Sequence, residues 1–415
     1  LVVVDMGTTT IVAHLLHPGT LRTVNAKACF NSQGIYGREV TRRMISAEKK
    51  GPAELQKMLV ADINGLVESM ADENGIHLKD ITAVVCAGNT AMGHFLLGLP
   101  TDNIRRSPYV AASVEPPPVR AAEVGIEISP RGLLYLLPGI SAWVGSDITA
   151  GILATGMHRS DAVSLLMDVG TNGEIVVGNR DWLVAASASA GPALEGASVS
   201  CGMRAEPGAI EKVYTDNGDL GFVTIDGTPP VGICGSGIID AVSALLSLNI
   251  INRSGKIVGQ GERITEVEGV PRYLFTEGDK PVYLTESDIE NVITAKAAIF
   301  AAMNILLKRL DLDFEDIERY YIAGAFGNYI DVDNARAIGL LPSVERERIE
   351  FVGNTSMLGA KICALYREAF MEVTDIRRRT TYYDLMGAHD YVEEFQKALF
   401  LPHTDIEMFA VKARR

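Results

Sequence analysis

The chain has 415 residues, of which 47% are hydrophobic and 22% charged; that is more than one hydrophobic core of roughly 250 to 300 residues usually supports, so two large lobes are expected. A formal net charge of −14 excludes a non-specific nucleic-acid binder, which needs a basic surface to replace phosphate counterions. The longest apolar stretch with helical spacing, around residues 289–310, is interrupted by Lys296, Asn304 and Lys308, so no bilayer span is expected.

In chain order, Leu1-Val2-Val3-Val4 opens abruptly inside an apolar strand, which reads as a chain with native sequence upstream and no signal peptide. The strand runs into Asp5-Met6-Gly7-Thr8-Thr9-Thr10 and returns as a second β-rich run, Ile11 to Leu16. Leu55, Met58, Leu59, Ile63, Leu66, Val67 and Met70 recur at helical spacing. A strand at Ala83 to Cys86 leads into Gly88-Asn89-Thr90. Pro116-Pro117-Pro118 marks a linker or rim, and a further strand, Leu133 to Leu137, precedes Pro138-Gly139.

The same words then recur. Leu165-Leu166-Met167-Asp168-Val169-Gly170-Thr171-Asn172-Gly173 is followed by a returning run, Glu174 to Val177. A helix follows, for which Ser287 and Glu290 form a predicted capping box and which runs through Leu310. The strand Arg319 to Ile322 leads into Ala323-Gly324-Ala325-Phe326-Gly327, and Ile349 to Val352 precedes Gly353-Asn354. This is an internal repeat at domain scale. The stretch from about 200 to 284 has no counterpart in the first half and reads as an inserted subdomain. The expected boundaries are 1–160 for the first half, 161–376 for the second, and 377–415 for a C-terminal αβ appendage.

A phosphate chain needs backbone N–H groups brought close by small residues, with hydroxyls as further donors. Gly7, Thr8, Thr9 and Thr10 supply both, and Gly170, Thr171, Asn172 and Gly173 supply both again. Asp5 and Asp168, just before the turns, are candidates to hold Mg²⁺ through its water shell. Two such turns facing one another would make a cleft for a triphosphate. Gly324, Ala325, Phe326 and Gly327 form a strand-to-helix turn that would let the backbone approach ribose and adenine.

Glu195, in a Gly-Pro-x-x-Glu-Gly loop, is a candidate for water positioning or a second magnesium contact, with a surface turn as the alternative. Ser187 and Ser189 lie in a run of small residues, either offered to a partner's cofactor or placed for close packing. Five cysteines (Cys29, Cys86, Cys201, Cys234, Cys363) and seven histidines are scattered without metal-ligand spacing, as expected of a reducing cytoplasm.

The order of phosphate hairpin, helix, second phosphate hairpin and glycine-rich turn resembles the superfamily of acetate and sugar kinases, Hsp70 and actin. The wording is most similar to one branch, the ATP-dependent reductive activators of corrinoid proteins. The segments that carry this are Asn31-Ser32-Gln33 with Tyr36-Gly37, Gly88 to Met92, Pro138-Gly139-Ile140 with Gly145-Ser146-Asp147, Asp168 to Glu174, Gly191 to Gly196, Ile233 to Gly237, and Ala323 to Ile330.

The resemblance implies an α/β chain of two duplicated ribonuclease H-like halves. It also implies ATP with Mg²⁺ and a [2Fe–2S] domain upstream of this chain that delivers an electron. A corrinoid methyl-transfer protein, returned from Co(II) to Co(I), is the implied partner, and a cytoplasmic homodimer the implied assembly. By similarity, Asp147 is the carboxylate that orients or deprotonates the attacking water, unless it only caps the helix from Ile148 to Thr155. Lys296 is expected against the nucleotide, with an exposed amphipathic lysine as the alternative. Two other readings remain open at this point: a small-molecule kinase, in which Asp147 activates an acceptor, and a non-redox actin-like or chaperone-like nucleotide switch. An activator of the acyl-CoA dehydratase type fits less well, because its cluster-bridging cysteine pattern is not evident.

Overall fold

The computed structural model describes residues 1–216, 218–324, 330–385 and 387–409. The chain divides into two compact units. The first comprises Leu1–Ala162, Gly178–Ala185 and Asn354–Tyr382, the second Val163–Val177, Ala186–Gly353 and Tyr383–Arg415.

The first unit begins with β1 (Val2–Met6), β2 (Thr10–His17) and β3 (Arg22–Phe30), followed by α1 (Val40–Lys50) and α2 (Ala53–Glu73). β4 (Ala83–Gly88), α3 (Thr90–Leu97), β5 (Val119–Arg120), β6 (Leu133–Leu136) and α4 (Ser146–Thr155) complete this stretch. The sheet order is β3-β2-β1-β4-β6-β5. β1 pairs antiparallel with β2 and parallel with β4, and β4 is parallel to β6. Val2, Val3 and Val4 are all fully buried, as expected of a central strand covered on both faces. The α2 stripe of Leu55, Leu59, Ile63, Leu66, Val67 and Met70 supplies much of the core.

The second repeat begins with β7 (Ser164–Val169), β8 (Gly173–Gly178) and β9 (Leu183–Ala188), which lead to an inserted region. This region holds β10 (Ala209–Asp216), β11 (Asp219–Thr224), β12 (Gly232–Ile233), α5 (Gly235–Ser247), β13 (Ile264–Val267), β14 (Val270–Leu274) and β15 (Tyr283–Thr285). Its strands form two three-stranded sheets, β11-β10-β12 and β13-β14-β15. Then come α6 (Glu286–Arg309), β16 (Arg319–Gly324), α7 (Val332–Ala337) and β17 (Ile349–Gly353). The order β17-β16-β7-β8-β9 repeats the β6-β4-β1-β2-β3 order of the first sheet, the sixth strand of each lying at opposite edges, with β7 parallel to β16 and β16 parallel to β17. Each half therefore has the ribonuclease H-like arrangement, and the fold is the duplicated actin-like one.

The remaining elements are α8 (Thr355–Leu365), α9 (Arg367–Arg379), β18 (Thr380–Tyr382) and α10 (His389–Ala398). α8 packs against β1, β4 and α4, and α9 against α4 and α8, all within the first unit. β18 lies parallel to Leu183–Ala185 of β9. The second-unit helix α6 opens two residues before the predicted capping box: Thr285 is its N-cap, accepting from the Asp288 N–H, and the Asp288 carboxylate accepts from the Thr285 N–H. Both pairs have the required three-residue spacing, and β15 ending at Thr285 selects the earlier one. α6 is long and apolar enough by composition to cross a membrane, but 83% of its apolar window is buried, so it is a core helix.

Candidate functional site

In the first unit the site lies at the carboxyl ends of the parallel strands, where open α/β sheets place their ligands. Asp5, one residue from the end of β1, is held by both oxygens: Asn354 Nδ2 donates to Oδ2 and Ser356 Oγ to Oδ1, each at 2.7 Å. Asn354 is the N-cap of α8, its own Oδ1 accepting from the Met357 N–H. Burial raises the proton affinity of Asp5, and these two hydrogen bonds lower it.

The turn after Asp5 is fixed by its carbonyls. Asn31 Nδ2 donates to the Gly7 carbonyl at 3.0 Å, and the Asn31 N–H donates to the Thr9 carbonyl at 3.0 Å. Arg43 Nη2 donates to the Thr8 carbonyl at 2.6 Å, while Asn89 Nδ2 donates to Thr8 Oγ1 at 3.0 Å.

Asp147 belongs to the first turn of α4, whose N-cap is Gly145; it is inside the helix and is not its cap. A Cβ at Gly145 would lie 2.5 Å from the Gly88 carbonyl oxygen, and Ser146 Oγ exchanges hydrogen bonds with the Gly88 N–H and carbonyl. The helix start is therefore pressed onto the end of β4. One Asp147 oxygen accepts from the Ile148 N–H at 2.9 Å. Burial first, and then the neighbouring charge of Asp5, raise its proton affinity against that stabilising N–H. A half-buried carboxylate raised by the charge of a second one is a donor set that fits a hard cation held partly through water.

In the second unit, Asp168 occupies the matching place near the end of β7. The Gly170 N–H donates to the Asn172 carbonyl at 2.9 Å, closing the turn. Thr171 Oγ1 donates to Glu195 Oε2 at 3.2 Å, and a Cβ at Gly170 would meet Glu195 Oε1 at 3.2 Å. Glu195 is thus beside the turn. Gly196 and Gly202 approach backbone to backbone, which brings Arg204 into the field of Glu195; burial lowers the Arg204 pKa, and the charges of Glu206 and Glu195 raise it. Gly324, at the end of β16, has φ +100°, and a Cβ there would lie 2.3 Å from the Val169 carbonyl oxygen and 2.9 Å from Asp168 Oδ1. Only glycine fits so close to the aspartate strand.

Ala325, Phe326 and Gly327 of the expected adenosine turn lie outside the described residues. Lys296 is neither an exposed lysine nor a free donor: it is fully buried, and Nζ donates to the Phe400 and Pro402 carbonyls at 2.6 Å each. Its ammonium fastens the C-terminal segment to α6. Ser187 donates to Glu174 Oε1 at 3.2 Å, while Ser189 is exposed. Sequence reasoning missed Asn31, Arg43, Asn89, Asn354, Ser356 and Arg204. Three of them lie in or beside segments singled out there, Asn31-Ser32-Gln33, Gly88-Asn89-Thr90 and Gly353-Asn354, whose asparagines were a usable signal. The other three had none.

Two family models match the chain in succession, one described as the RACo middle region over residues 2–160 and one as the C-terminal domain of RACo, the ASKHA domain, over residues 162–412. ASKHA denotes the acetate and sugar kinase, Hsp70 and actin superfamily. The chain is similar to the corrinoid activation enzyme RamQ of Eubacterium limosum, with 34% identity over 409 residues, 94% of this chain and 68% of that protein. It is also similar to the [Co(II) methylated amine-specific corrinoid protein] reductase of Methanosarcina barkeri, with 30% identity over 273 residues, 60% of this chain and 48% of that one. A solved structure of a reductive activator for corrinoid, iron–sulfur protein superposes with a TM-score of 0.93 at 42% identity, covering 98% of this chain and 67% of its own.

Proposed function

The chain belongs to the RACo family of ASKHA proteins, and we propose that it uses ATP to return the inactive Co(II) corrinoid of a partner protein to Co(I). The observation that carries this reading is the pair of matched turns, each preceded by an aspartate near the end of the first strand of a duplicated sheet, in a chain whose relatives are corrinoid activators. Gly7–Thr10 and Gly170–Gly173 would hold the phosphates, with Asp5 and Asp168 holding Mg²⁺ through its water shell. Bound magnesium would neutralise phosphate charge.

Within this scheme Asp147, its proton affinity raised, orients or deprotonates the water that attacks the terminal phosphate. Glu195 positions the Thr171 hydroxyl, and Gly324 lets the backbone come close to the nucleoside. Hydrolysis gives ADP and phosphate, and a separate one-electron donor reduces the cobalt. In this proposal the electron comes from a [2Fe–2S] cluster. Cys86, Cys234 and Cys363 are buried, and among the described residues no group of three or more His, Cys, Asp or Glu side chains could hold a metal. The cluster belongs to an upstream domain in this proposal. The formal net charge of −14 suits a partner recognised electrostatically, and a cytoplasmic homodimer is the proposed assembly.

The test is ATP turnover by the chain with and without a Co(II) corrinoid protein and a strong reductant, with the cobalt absorption recorded. Turnover stimulated by the corrinoid protein, or a changed Co(II) spectrum, supports the proposal. ADP formed only with a small acceptor would make the protein a kinase.

A further inference from the structure

Arg43 is 1% exposed, which is an unusual position for a guanidinium. Its nitrogens are satisfied by neutral acceptors: Nε by the Gly37 carbonyl at 2.9 Å, Nη1 by Gln33 Oε1 at 3.3 Å and Nη2 by the Thr8 carbonyl at 2.6 Å. Among the described residues no carboxylate forms an ion pair with it. Carbonyls satisfy N–H groups, but they do not cancel a buried positive charge, and an uncompensated buried ion is among the costliest features a fold can keep. Burial alone lowers its pKa to about 10, which still leaves it cationic at neutral pH.

The place of this charge is informative. Nη2 touches the carbonyl of Thr8, so the cation sits one peptide group behind the first phosphate turn. The Gly7 and Thr9 carbonyls are likewise held, by Asn31. We propose that Arg43 is the buried counter-charge for the polyphosphate on the first turn, a positioning residue that favours phosphate binding through the field it sets and without touching it. The inference rests on the reading that this turn takes phosphate. In a poorly solvated site a fixed charge acts over several ångströms, so its effect grows with the number of phosphates on the ligand.

A purely structural role, tying α1 to Gln33 and the turn, predicts something different, and two variants separate the two. Arg43→Met removes the charge and the hydrogen bonds. Gln33→Glu keeps the hydrogen bond to Nη1 and sets a carboxylate against the guanidinium, cancelling its charge; it gives up the Gln33 Nε2 bond to the Leu55 carbonyl at 2.8 Å, a scaffold loss that, where it reaches the site, weakens all three ligands alike, and it serves if Arg43→Met fails to fold. Dissociation constants for adenosine, ADP and ATP with Mg²⁺ are measured by calorimetry on the full chain.

The expected result for both variants is at least about tenfold weaker ATP binding, a smaller loss for ADP and adenosine affinity unchanged within about twofold; Arg43→Lys restores the ATP preference. Equal weakening of all three ligands, or a Gln33→Glu protein that binds ATP like the wild type, overturns the inference while leaving the phosphate reading intact. A wild-type chain that binds ATP no better than adenosine removes the phosphate reading and this inference together.

Discussion

Helices α4 and α8 cross at Gly359 so closely that the substitution Gly359→Ala has a sign fixed by geometry. A Cβ built there would lie 2.0 Å from the carbonyl oxygen of Ala150, 2.5 Å from its carbonyl carbon and 2.7 Å from its Cα, all of them backbone atoms. Ordinary contact begins at 3.4 Å, so the helices must part by more than an ångström. Gly65 in α2 is the control, since nothing lies within 4 Å of a Cβ added there. Alanine is favoured over glycine inside a helix by about 1 kcal/mol at both places. At Gly65 that gain stands, and Gly65→Ala stabilises by about 0.5–1 kcal/mol. At Gly359 overpacking costs about 1–3 kcal/mol and the loss of Gly359–Ala150 contact spreads along the crossing, so the net result is destabilisation. A further consequence follows, because α8 carries Asn354 and Ser356 to Asp5 at 2.7 Å. A shift of that size breaks both bonds, and Mg²⁺-ATP affinity falls in Gly359→Ala but not in Gly65→Ala. Scanning calorimetry and nucleotide titration read the two effects. Equal stabilisation by both substitutions would refute the close-crossing argument.

Ser356→Ala removes one of the hydrogen bonds that orient Asp5, worth about 0.5–1.5 kcal/mol; a threefold to tenfold loss of Mg²⁺-ATP affinity with little change in melting temperature is expected by calorimetry, and unchanged affinity would mean that Asp5 does not serve the nucleotide. Burial, with the Arg253 charge second, lowers the Lys296 pKa to about 7. The folded chain therefore binds that proton less readily than the unfolded one, and stability rises as pH goes from about 7 towards the ordinary lysine range. Lys296→Met removes this slope, on the order of 4 kcal/mol, so parallel stability curves for the two proteins between pH 7 and 10 contradict the argument. Glu195→Gln leaves the Thr171 hydroxyl a neutral acceptor in place of a charged one; ATP turnover is expected to fall about tenfold or more with affinity little changed, and the reverse pattern in steady-state rates would assign Glu195 to binding alone.

The duplicated architecture was legible because its signals are local. Val2–Val4 and Leu165–Met167 are apolar runs that end in an aspartate and a glycine turn, and the order of later strands repeats. The helical stripe of α2 was equally plain. What was not legible depends on residues far apart in the chain. α8 follows β17 in sequence, yet it packs on β1 and β4, and nothing within Thr355–Leu365 reports that return. The hydrogen bonds from Asn354 and Ser356 to Asp5 span about 350 positions. Lys296 looked like a site residue because it precedes the glycine turn, but its partners are backbone carbonyls near residue 401, which no side-chain pattern reveals. Arg43 was hidden in a mixed polar stretch, Arg38-Glu39-Val40-Thr41-Arg42-Arg43, where a solvated surface is the natural reading.

The measurement that tests the account most directly is Mg²⁺-dependent ATP binding by the wild-type chain beside Asp5→Ala and Asp168→Ala. The two-turn scheme predicts that each substitution abolishes the magnesium-dependent part of the affinity while the fold persists by circular dichroism. Wild-type affinity in both variants would contradict it.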